Sequence, residues 1–339
     1  MSLPPFASRY LPALEMEMQA VVTAPAPEVH DLYGYLRYHL GWTDEHFQSC
    51  RGRTGKRLRP VLCLLACEAC GGDWEQALPA AAALELLHNF SLIHDDIEDQ
   101  DATRRGRPTV WALWGVPQAI NAGDALFTLA HLALLRLSDR GVPVETVAQA
   151  FHIFDHACLR LTEGQFMDIR FEQETTVGLE DYLSMIEGKT AALLAAACEL
   201  GALVAGASAG QQDRLRAFGR HLGLAFQIQD DILGIWGDPE ETGKPVGSDL
   251  RCRKKTLPIL HGLQHDPTLR ALLARPELSE DEIARAIRRL EAAGSRAFAE
   301  GQARHHIDRA LAILEAADLQ PPAASALRDL TLGLVGRSR

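Results

Sequence analysis

The sequence predicts a single all-α domain built from long helices. Alanine and leucine, both strong helix formers, are abundant, whereas aromatic residues make up only 6% of the chain. Runs that alternate β-branched and polar residues, the usual mark of strands, are scarce. Because no convincing strand is present, a phosphate-binding loop of the strand–glycine–helix type is not predicted.

Stretches of ten or more residues have helical character, and segments rich in glycine or proline separate them. In chain order, we predict helices over 80–93, 119–137, 144–168, 179–204, 211–233 and 281–316. The last stretch contains Gly294-Ser295, where we expect an interruption. No internal repeat or low-complexity linker divides the chain, so residues 1–339 are predicted to form one domain.

The composition is that of a globular protein with an acidic surface. Of 339 residues, 47% are hydrophobic and 23% are charged, which excludes a disordered chain or a disulfide-stabilised miniprotein. Lys and Arg number 34 and Asp and Glu number 45, so the net charge is −11. This balance argues against a nucleic-acid partner. A protein of this charge that binds anions must concentrate its basic residues in one place.

The seven cysteines predict reduced thiols and a cytoplasmic location, because their number is odd and the chain is long. Cys67 and Cys70 have the spacing of a metal site, but no second pair completes it, and buried thiols are expected. The N-terminus lacks the pattern of a secretory signal. Residues 190–206 are almost long enough to cross a bilayer. Glu199 lies within them and Ala and Gly dominate, so we predict a buried helix and no membrane span.

Two acidic motifs follow apolar helical segments. Asp95, Asp96 and Asp99 form a DDxxD pattern, and positions four apart lie on one helix face. Asp230 and Asp231 form a second pair. Carboxylates at the C-terminal end of a helix are disfavoured by its dipole, so a solvated acidic helix end explains them poorly. Facing clusters of this kind suit Mg²⁺ ions around a diphosphate.

Basic residues stand close to these motifs and suit phosphate contacts. They are Lys56, Arg57 and Arg59 in the segment GKRLRP, Arg104 and Arg105 after the first motif, Lys189 beside Thr190, Lys244 after the second motif, and Lys254 with Lys255. Each alone would also suit a solvated surface. His88 lies seven residues before Asp95, about 10.5 Å along the same face, and both a packed histidine and a ligand contact remain open.

Together these segments resemble the trans-type isoprenyl diphosphate synthases, or polyprenyl synthetases. The matches run in family order from about residue 55 to residue 258: GKRLRP, His88, DDIED followed by RRGRPT, the segment from Asn121 to Asp124, Gly164-Gln165, Lys189-Thr190, Phe226-Gln227 with Asp230-Asp231, and KKTLP from Lys254. The resemblance implies an isoprenoid-synthase fold with a deep apolar cavity between long helices. It also implies a homodimer.

The resemblance implies an enzyme that condenses isopentenyl diphosphate head-to-tail with an allylic diphosphate, using Mg²⁺ with three ions when diphosphate is bound. It assigns the metal to Asp95, Asp96, Asp99, Asp230 and Asp231, and catalysis to Asp95, Asp96, Lys189 and Asp230. Arg104, Lys189, Gln227 and Lys244 would contact the allylic diphosphate, and Thr190 and Lys254 would also bind substrate. Lys56, Arg59, His88 and Arg105 would bind isopentenyl diphosphate.

The chemistry agrees with this resemblance. Ionisation of an allylic C–O bond requires a stabilised diphosphate leaving group, and Mg²⁺, lysine and arginine supply the positive charge. An apolar helical cavity protects the resulting cation from water. By the family pattern, the released diphosphate takes the final proton.

One departure concerns the second motif, in which Gly234 stands where the family has a third aspartate. A water molecule or Asp238 could fill the gap. We expect activity to be retained, with a weaker hold on one metal ion.

Product length is predicted from Leu87, Phe90 and Ser91, which precede Asp95 by eight, five and four residues. In the family, an aromatic residue at the fifth position with a small residue at the fourth is typical of a C20 synthase. We therefore predict geranylgeranyl diphosphate. A C15 or longer product remains open, as does a simple core role for Phe90.

Three rival functions are less well supported. A class I terpene cyclase would not need the GKRLRP segment or a second paired-aspartate site, and a squalene-type synthase has different acidic motifs. A non-catalytic subunit of a heteromeric prenyl synthase is favoured only by Gly234.

Overall fold

Helices form nearly all of the regular structure in the computed structural model, which describes residues 5–50, 52, 55–174, 176–242, 245–275 and 277–335. The all-α prediction is confirmed. The helices are α1 Pro5–Ser8, α2 Leu11–Val21, α3 His30–His39, α4 Leu58–Ala69, α5 Leu78–Glu98, α6 Val110–Trp114, α7 Val116–Leu135, α8 Val144–Gln173, α9 Leu179–Ile186, α10 Ala192–Val204, α11 Ala209–Trp236, α12 Pro239–Thr242, α13 Ser248–Arg251, α14 Leu257–His265, α15 Pro267–Leu273, α16 Glu280–Ala292, α17 Ser295–Glu315 and α18 Ala323–Val335.

The predicted helical stretches are all present, with three differences that matter for function. Helix α5 continues beyond 93, so Asp95 and Asp96 lie in its last turn and Asp99 is its C-cap. The stretch 179–204 contains a π-helical turn, Glu187–Ala191, between α9 and α10. The stretch 281–316 is interrupted as predicted, because Gly294 adopts a φ of 74° between α16 and α17.

One short antiparallel hairpin was not predicted. Strand β1, Thr103–Arg104, pairs with strand β2, Arg107–Pro108. Arg105 and Gly106 connect the strands with φ values of 55° and 77°. Positive φ at both central residues is the geometry of a type I′ turn, which suits the twist of a two-residue hairpin.

Helices α4, α5 and α10 form the centre of the molecule. Helix α5 packs against α7 and α4, and α10 packs against α11, α4 and α8. The run 190–206 is largely buried, and α10 approaches α4 closely: a Cβ added at Gly201 would lie 2.1 Å from the carbonyl oxygen of Cys63. This run is therefore a core helix. None of the described helices combines the length and apolarity that a membrane span requires.

The cysteines are free thiols, and most of them are buried. Cys63 and Cys198 are fully buried, and burial raises the pKa of Cys67 to about 12. Cys70 is half-buried and Cys252 is exposed. The expectation of buried, unpaired thiols therefore holds for most of the set.

Candidate active site

The first acidic motif closes helix α5. Gln100, in the left-handed region with a φ of 56°, donates its N–H to the Ile97 carbonyl, and the Asp101 N–H bonds to the Asp96 carbonyl. This pair of bonds is a Schellman ending, which satisfies carbonyl groups left over at the helix terminus. The chain then turns back into the hairpin, so that the basic residues after the motif return to its carboxylates.

The hairpin brings Arg104 onto the second aspartate of the motif. The Arg104 Nε donates to Asp96 Oδ1 at 2.6 Å, and Asp96 is buried. Burial raises the pKa of Asp96 to about 6, although Arg104 opposes the shift. Within the described part of the motif, Asp96 is therefore the aspartate whose carboxylate is hydrogen-bonded to an arginine.

Asp95 is held in a crowded acidic environment. Burial raises its pKa to about 6. Lys189 opposes the shift, whereas Asp99 and Glu98 add to it. The Glu98 carboxylate accepts a hydrogen bond from Gln165 Nε2 of α8 at 2.7 Å. The ionised form of Asp95 therefore lacks full compensation from the protein, and a bound cation would supply it.

The GKRLRP loop is anchored by Arg57, which the sequence grouped with the basic residues that suit phosphate contacts but which bonds to protein carboxylates instead. Arg57 donates from Nη1 to Glu85 of α5 at 2.7 Å and from Nε to Glu15 of α2 at 2.9 Å. Both Arg57 and Glu85 are buried. Arg57 has a φ of 51° directly before α4, so the loop turns sharply there. This anchor presents Lys56 and Arg59 on either side of the turn.

Arg59, His88 and Arg105 form a second basic cluster beside the loop. Burial lowers the pKa of His88 well below its ordinary value, and the charges of Arg59 and Arg105 add to this effect. His88 is therefore neutral. A Cβ added at Gly55 would lie 2.8 Å from Arg105 Nη2, so the glycine permits the guanidinium to lie against the loop backbone. The cluster joins residues from three separate chain segments.

The π-helical turn presents Lys189 and Thr190. Gly164 of α8 lies directly beneath it: an added Cβ would be 2.1 Å from the Lys189 backbone nitrogen. This close approach places Asp168, one turn along α8, in an ion pair with the Lys189 ammonium. π-turns inside helices are frequent at functional sites.

A hydrogen-bonded chain connects Thr190 with the second motif. Thr190 Oγ1 donates to Gln227 Oε1 at 2.7 Å, and Gln227 Nε2 donates to Asp231 Oδ1 at 3.0 Å. The other oxygen of Asp231 accepts from the Tyr182 hydroxyl at 2.5 Å and from the Leu257 N–H at 3.1 Å. Asp231 is buried, and burial raises its pKa to about 7 against the effect of these donors.

Charge interactions indicate that these groups lie near one another. Burial lowers the pKa of Lys254, but Asp168 and Asp99 outweigh it, so the lysine lies between α8 and the first motif. Asp230 in turn acts to raise the pKa of Arg59 of the basic cluster, although burial lowers it overall. The structure therefore brings the two acidic motifs and the basic cluster near one another.

The predicted chain-length residues lie on α5 below the first motif. Ser91 and Leu87 are one and two helical turns before Asp95, and both are buried. The Phe90 ring packs against Phe127 of α7, with 5.3 Å between ring centroids. The Phe127 ring lies 4.6 Å from that of His131. Phe90, Phe127 and His131 thus form a row of packed rings between α5 and α7.

Comparison with known proteins identifies the family. A family model described as polyprenyl synthetase matches residues 41–290. The chain belongs to the polyprenyl synthetase family. It is a trans-prenyltransferase, and its family uses isoprenoid diphosphates as substrates.

Individual relatives differ in the product that they make. A (2E,6E)-farnesyl diphosphate synthase of Mycobacterium bovis is 42% identical, over 97% of this chain and 94% of its own. A geranylgeranyl diphosphate synthase of Mycobacterium tuberculosis is 45% identical, over 84% of this chain and 81% of its own. A crystal structure of geranylgeranyl pyrophosphate synthase from Corynebacterium glutamicum, complexed with isoprenyl diphosphate and magnesium, has a TM-score of 0.85 and 29% identity, and covers 98% of this chain and 99% of that one.

The carboxylates of this polyprenyl synthetase suit Mg²⁺ ions whose coordination shells are completed by a bound substrate. Among the residues that the structure describes, no three acidic, histidine or cysteine side chains converge closely enough to hold an ion by themselves. Mg²⁺ commonly takes one or two protein carboxylates and completes its shell with phosphate oxygens and water. Burial raises the pKa of Asp95, and a nearby cation would stabilise its ionised form. These residues therefore suit a metal–diphosphate complex better than a bare ion.

Several site residues of the polyprenyl synthetase escaped the sequence analysis. Asp168 of α8 forms an ion pair with Lys189 and acts to raise the pKa of Lys254. The charges of the same two lysines act to lower the pKa of Glu172, so both acidic residues lie near them. The spacing of Asp168 three residues after Gln165 was a usable signal. Tyr182 offered none, because its partner Asp231 is 49 residues away. Lys244 lies outside the described residues.

Proposed function

We propose that this chain condenses isopentenyl diphosphate with allylic diphosphates, in a Mg²⁺-dependent reaction, to geranylgeranyl diphosphate. The observation that carries the proposal is that two separate groups of charged residues, each suited to an anion, lie near each other. One lies between the acidic motifs, with Lys189 and Lys254, and the other is the cluster of Arg59, His88 and Arg105. Two diphosphate substrates require two such sites. A terpene cyclase, with one diphosphate, would leave the second cluster without a ligand.

The five aspartates divide into those that would bind Mg²⁺ ions and those that accept hydrogen bonds from neighbouring side chains. Asp95, Asp99 and Asp230 would bind the Mg²⁺ ions, which neutralise the charge that develops on the leaving diphosphate. Asp96 and Asp231 accept hydrogen bonds from protein donors and would orient Arg104 and Gln227. This division narrows the sequence prediction, in which all five aspartates bound metal and Asp95, Asp96 and Asp230 were also catalytic.

The basic side chains have distinct tasks. Arg104 and Lys189 contact the allylic diphosphate, with Thr190, Gln227 and Lys254 beside it. Lys56, Arg59, His88 and Arg105 bind isopentenyl diphosphate. The neutral His88 donates or accepts a hydrogen bond without adding charge to its arginine neighbours. The buried wall of Leu87 and Ser91 keeps water from the allylic cation.

The activity is tested with purified protein, Mg²⁺, isopentenyl diphosphate and each of dimethylallyl, geranyl and farnesyl diphosphate. The products are dephosphorylated and sized. We expect a C20 alcohol, and no product in excess EDTA. A C15 product would match the farnesyl diphosphate synthase relative and keep the reaction class. Absence of condensation with every primer would refute the proposal.

Product length is expected to follow the residues one turn below Asp95. Phe90→Ala removes a ring from the wall with Phe127, so we expect products longer than C20. Ser91 is buried one turn before Asp95, so Ser91→Phe adds a bulky ring there and we expect C15. Opposite shifts from adjacent residues separate a cavity effect from general damage. Unchanged product length in both variants would contradict this location of the cavity floor.

We also propose that two chains form a homodimer through α7 and α8. Ile120, Leu132 and Leu135 of α7, and Leu159 and Phe166 of α8, are large apolar side chains that are more than 40% exposed. Such a surface suits a second copy of the chain. Sedimentation is expected to give twice the chain mass of 37.1 kDa. Leu132→Glu with Leu135→Glu should yield monomers, whereas Leu332→Glu on α18 should not.

A further inference from the structure

The second acidic motif lacks a carboxylate at position 234, yet a carboxylate occupies that place in space. A Cβ added at Gly234 would lie 2.1 Å from Asp249 Oδ2, 2.4 Å from its Cγ and 2.6 Å from its Oδ1. An aspartate at 234 would have its own carboxyl carbon one C–C bond, about 1.5 Å, from that Cβ. The Asp249 carboxylate therefore occupies the space that any side chain at position 234 would enter first.

The chain after α11 is docked so that this position is maintained. The Gly247 N–H donates to the Ile235 carbonyl at 3.1 Å, and Ser248 Oγ donates to the Gly234 carbonyl at 3.1 Å. Both acceptors lie in the last turn of α11. These bonds fix the start of α13, which carries Asp249, against the end of the helix that carries Asp230.

Position 234 shares a helix face with Asp230, because residues four apart lie one above the other. The electrostatic effects agree. Burial is the main cause of the raised pKa of Asp231, and the charge of Asp249 adds to it. Asp249 also helps to raise the pKa of Lys254 against burial. The Asp249 carboxylate thus belongs to the charged groups of the second motif.

We propose that Asp249 is the third carboxylate of the second motif and holds, together with Asp230, the metal ion on that side of the diphosphate. This inference rests on the proposed function, since the ion is bound with the diphosphate. It also gives a physical reason for Gly234, because any side chain there would displace Asp249. If Asp249 supplies the missing carboxylate, the metal ion beside Asp230 should be bound as tightly as with an aspartate at position 234.

The test measures binding, not turnover. Calorimetry with inorganic diphosphate at saturating Mg²⁺ compares the wild type with Asp249→Asn, Asp230→Asn and Asp238→Asn. Asp238 is the matched comparison, since it follows α11 closely but is exposed, and its carboxylate caps the Glu240 N–H at 2.9 Å. We expect about 10–100-fold weaker binding for Asp249→Asn and Asp230→Asn, and no change for Asp238→Asn. A loss with Asp238→Asn alone would overturn the assignment.

A second experiment moves the carboxylate from position 249 to position 234. Gly234→Asp alone should weaken diphosphate binding, because the new side chain collides with Asp249. Gly234→Asp combined with Asp249→Ala returns one carboxylate to the same place, and binding should recover to near the wild-type value. Circular dichroism melting excludes misfolding as the cause of any loss. If the double variant binds no better than Asp249→Ala, the carboxylate at this position has no role.

Failure of the inference is distinct from failure of the proposed function. Suppose that the wild type binds inorganic diphosphate with Mg²⁺, and that binding is lost in Asp230→Asn but kept in Asp249→Asn. This result refutes only the role of Asp249. A wild type that binds no diphosphate in Mg²⁺ refutes both. Mg²⁺ titrations of prenyl transfer then repeat the same comparison as an independent measurement.

Discussion

Asp95→Asn is expected to lower kcat/KM for prenyl transfer by about 10²–10³-fold, the usual effect of removing one group that stabilises a developing charge. Asparagine keeps the size of the side chain and removes the charge that would bind Mg²⁺. Because burial already raises the pKa of Asp95 to about 6, the neutral side chain should not destabilise the fold. Steady-state kinetics at saturating Mg²⁺, with a thermal melt, provide the measurement.

The matched control for Asp95→Asn is Asp213→Asn. Asp213 is exposed and pairs with Arg216 one turn along α11, at 2.7 Å. Surface pairs of this kind contribute little, so kinetics and melting should stay at wild-type values. Retention of more than a tenth of the activity by Asp95→Asn would remove Asp95 from the metal site.

Arg57→Ala is expected to lower the free energy of unfolding by about 3–5 kcal/mol, the usual cost of leaving one member of a buried ion pair without its partner. Glu85 is only 2% exposed, and Arg57 bonds to it at 2.7 Å. The same variant frees the GKRLRP loop, so the KM for isopentenyl diphosphate should rise. Urea denaturation and steady-state kinetics measure the two effects.

An exposed ion pair provides the comparison for Arg57. Arg328 pairs with Glu315 at 3.0 Å, with both side chains more than half exposed, and Arg328→Ala should cost less than about 1 kcal/mol. Arg57→Ala combined with Glu85→Leu should recover part of the stability, because no buried charge then lacks a partner. Equal effects of Arg57→Ala and Arg328→Ala would show that Arg57 does not anchor the loop.

The helices and motifs were accessible from the sequence because their signals are local. Apolar periodicity and glycine or proline breaks predicted the helices that carry the acidic motifs, whereas α2, α3 and α18 were not predicted. The spacing of Asp95 and Asp99 predicted a shared helix face. The hairpin at Arg105-Gly106 was missed, since a two-residue turn between two-residue strands leaves no periodic pattern. The π-turn at Lys189 was missed for a related reason: it depends on the approach of α8 at Gly164, which is made by tertiary packing.

The sequence also could not predict which aspartate of each adjacent pair bonds to protein side chains. Asp95 and Asp96 are adjacent and chemically identical, yet only Asp96 meets Arg104. Asp230 and Asp231 form an equivalent pair, yet Asp231 is enclosed by Gln227 and Tyr182. Neighbouring helical residues point about 100° apart, so one faces the cleft and the other faces packed elements. Which one does so depends on the neighbouring helices.

The all-α class, the order of the main helices and the residue types that suit a diphosphate follow from local periodicity and short motifs in the sequence. The anchoring of the basic loop by Arg57 and the position of Asp249 at Gly234 became evident from the packed helices alone. Both depend on contacts between segments distant in the chain, 28 residues apart for Arg57 and Glu85. Such contacts form only when helices pack, since packing and not local propensity selects which side chains meet.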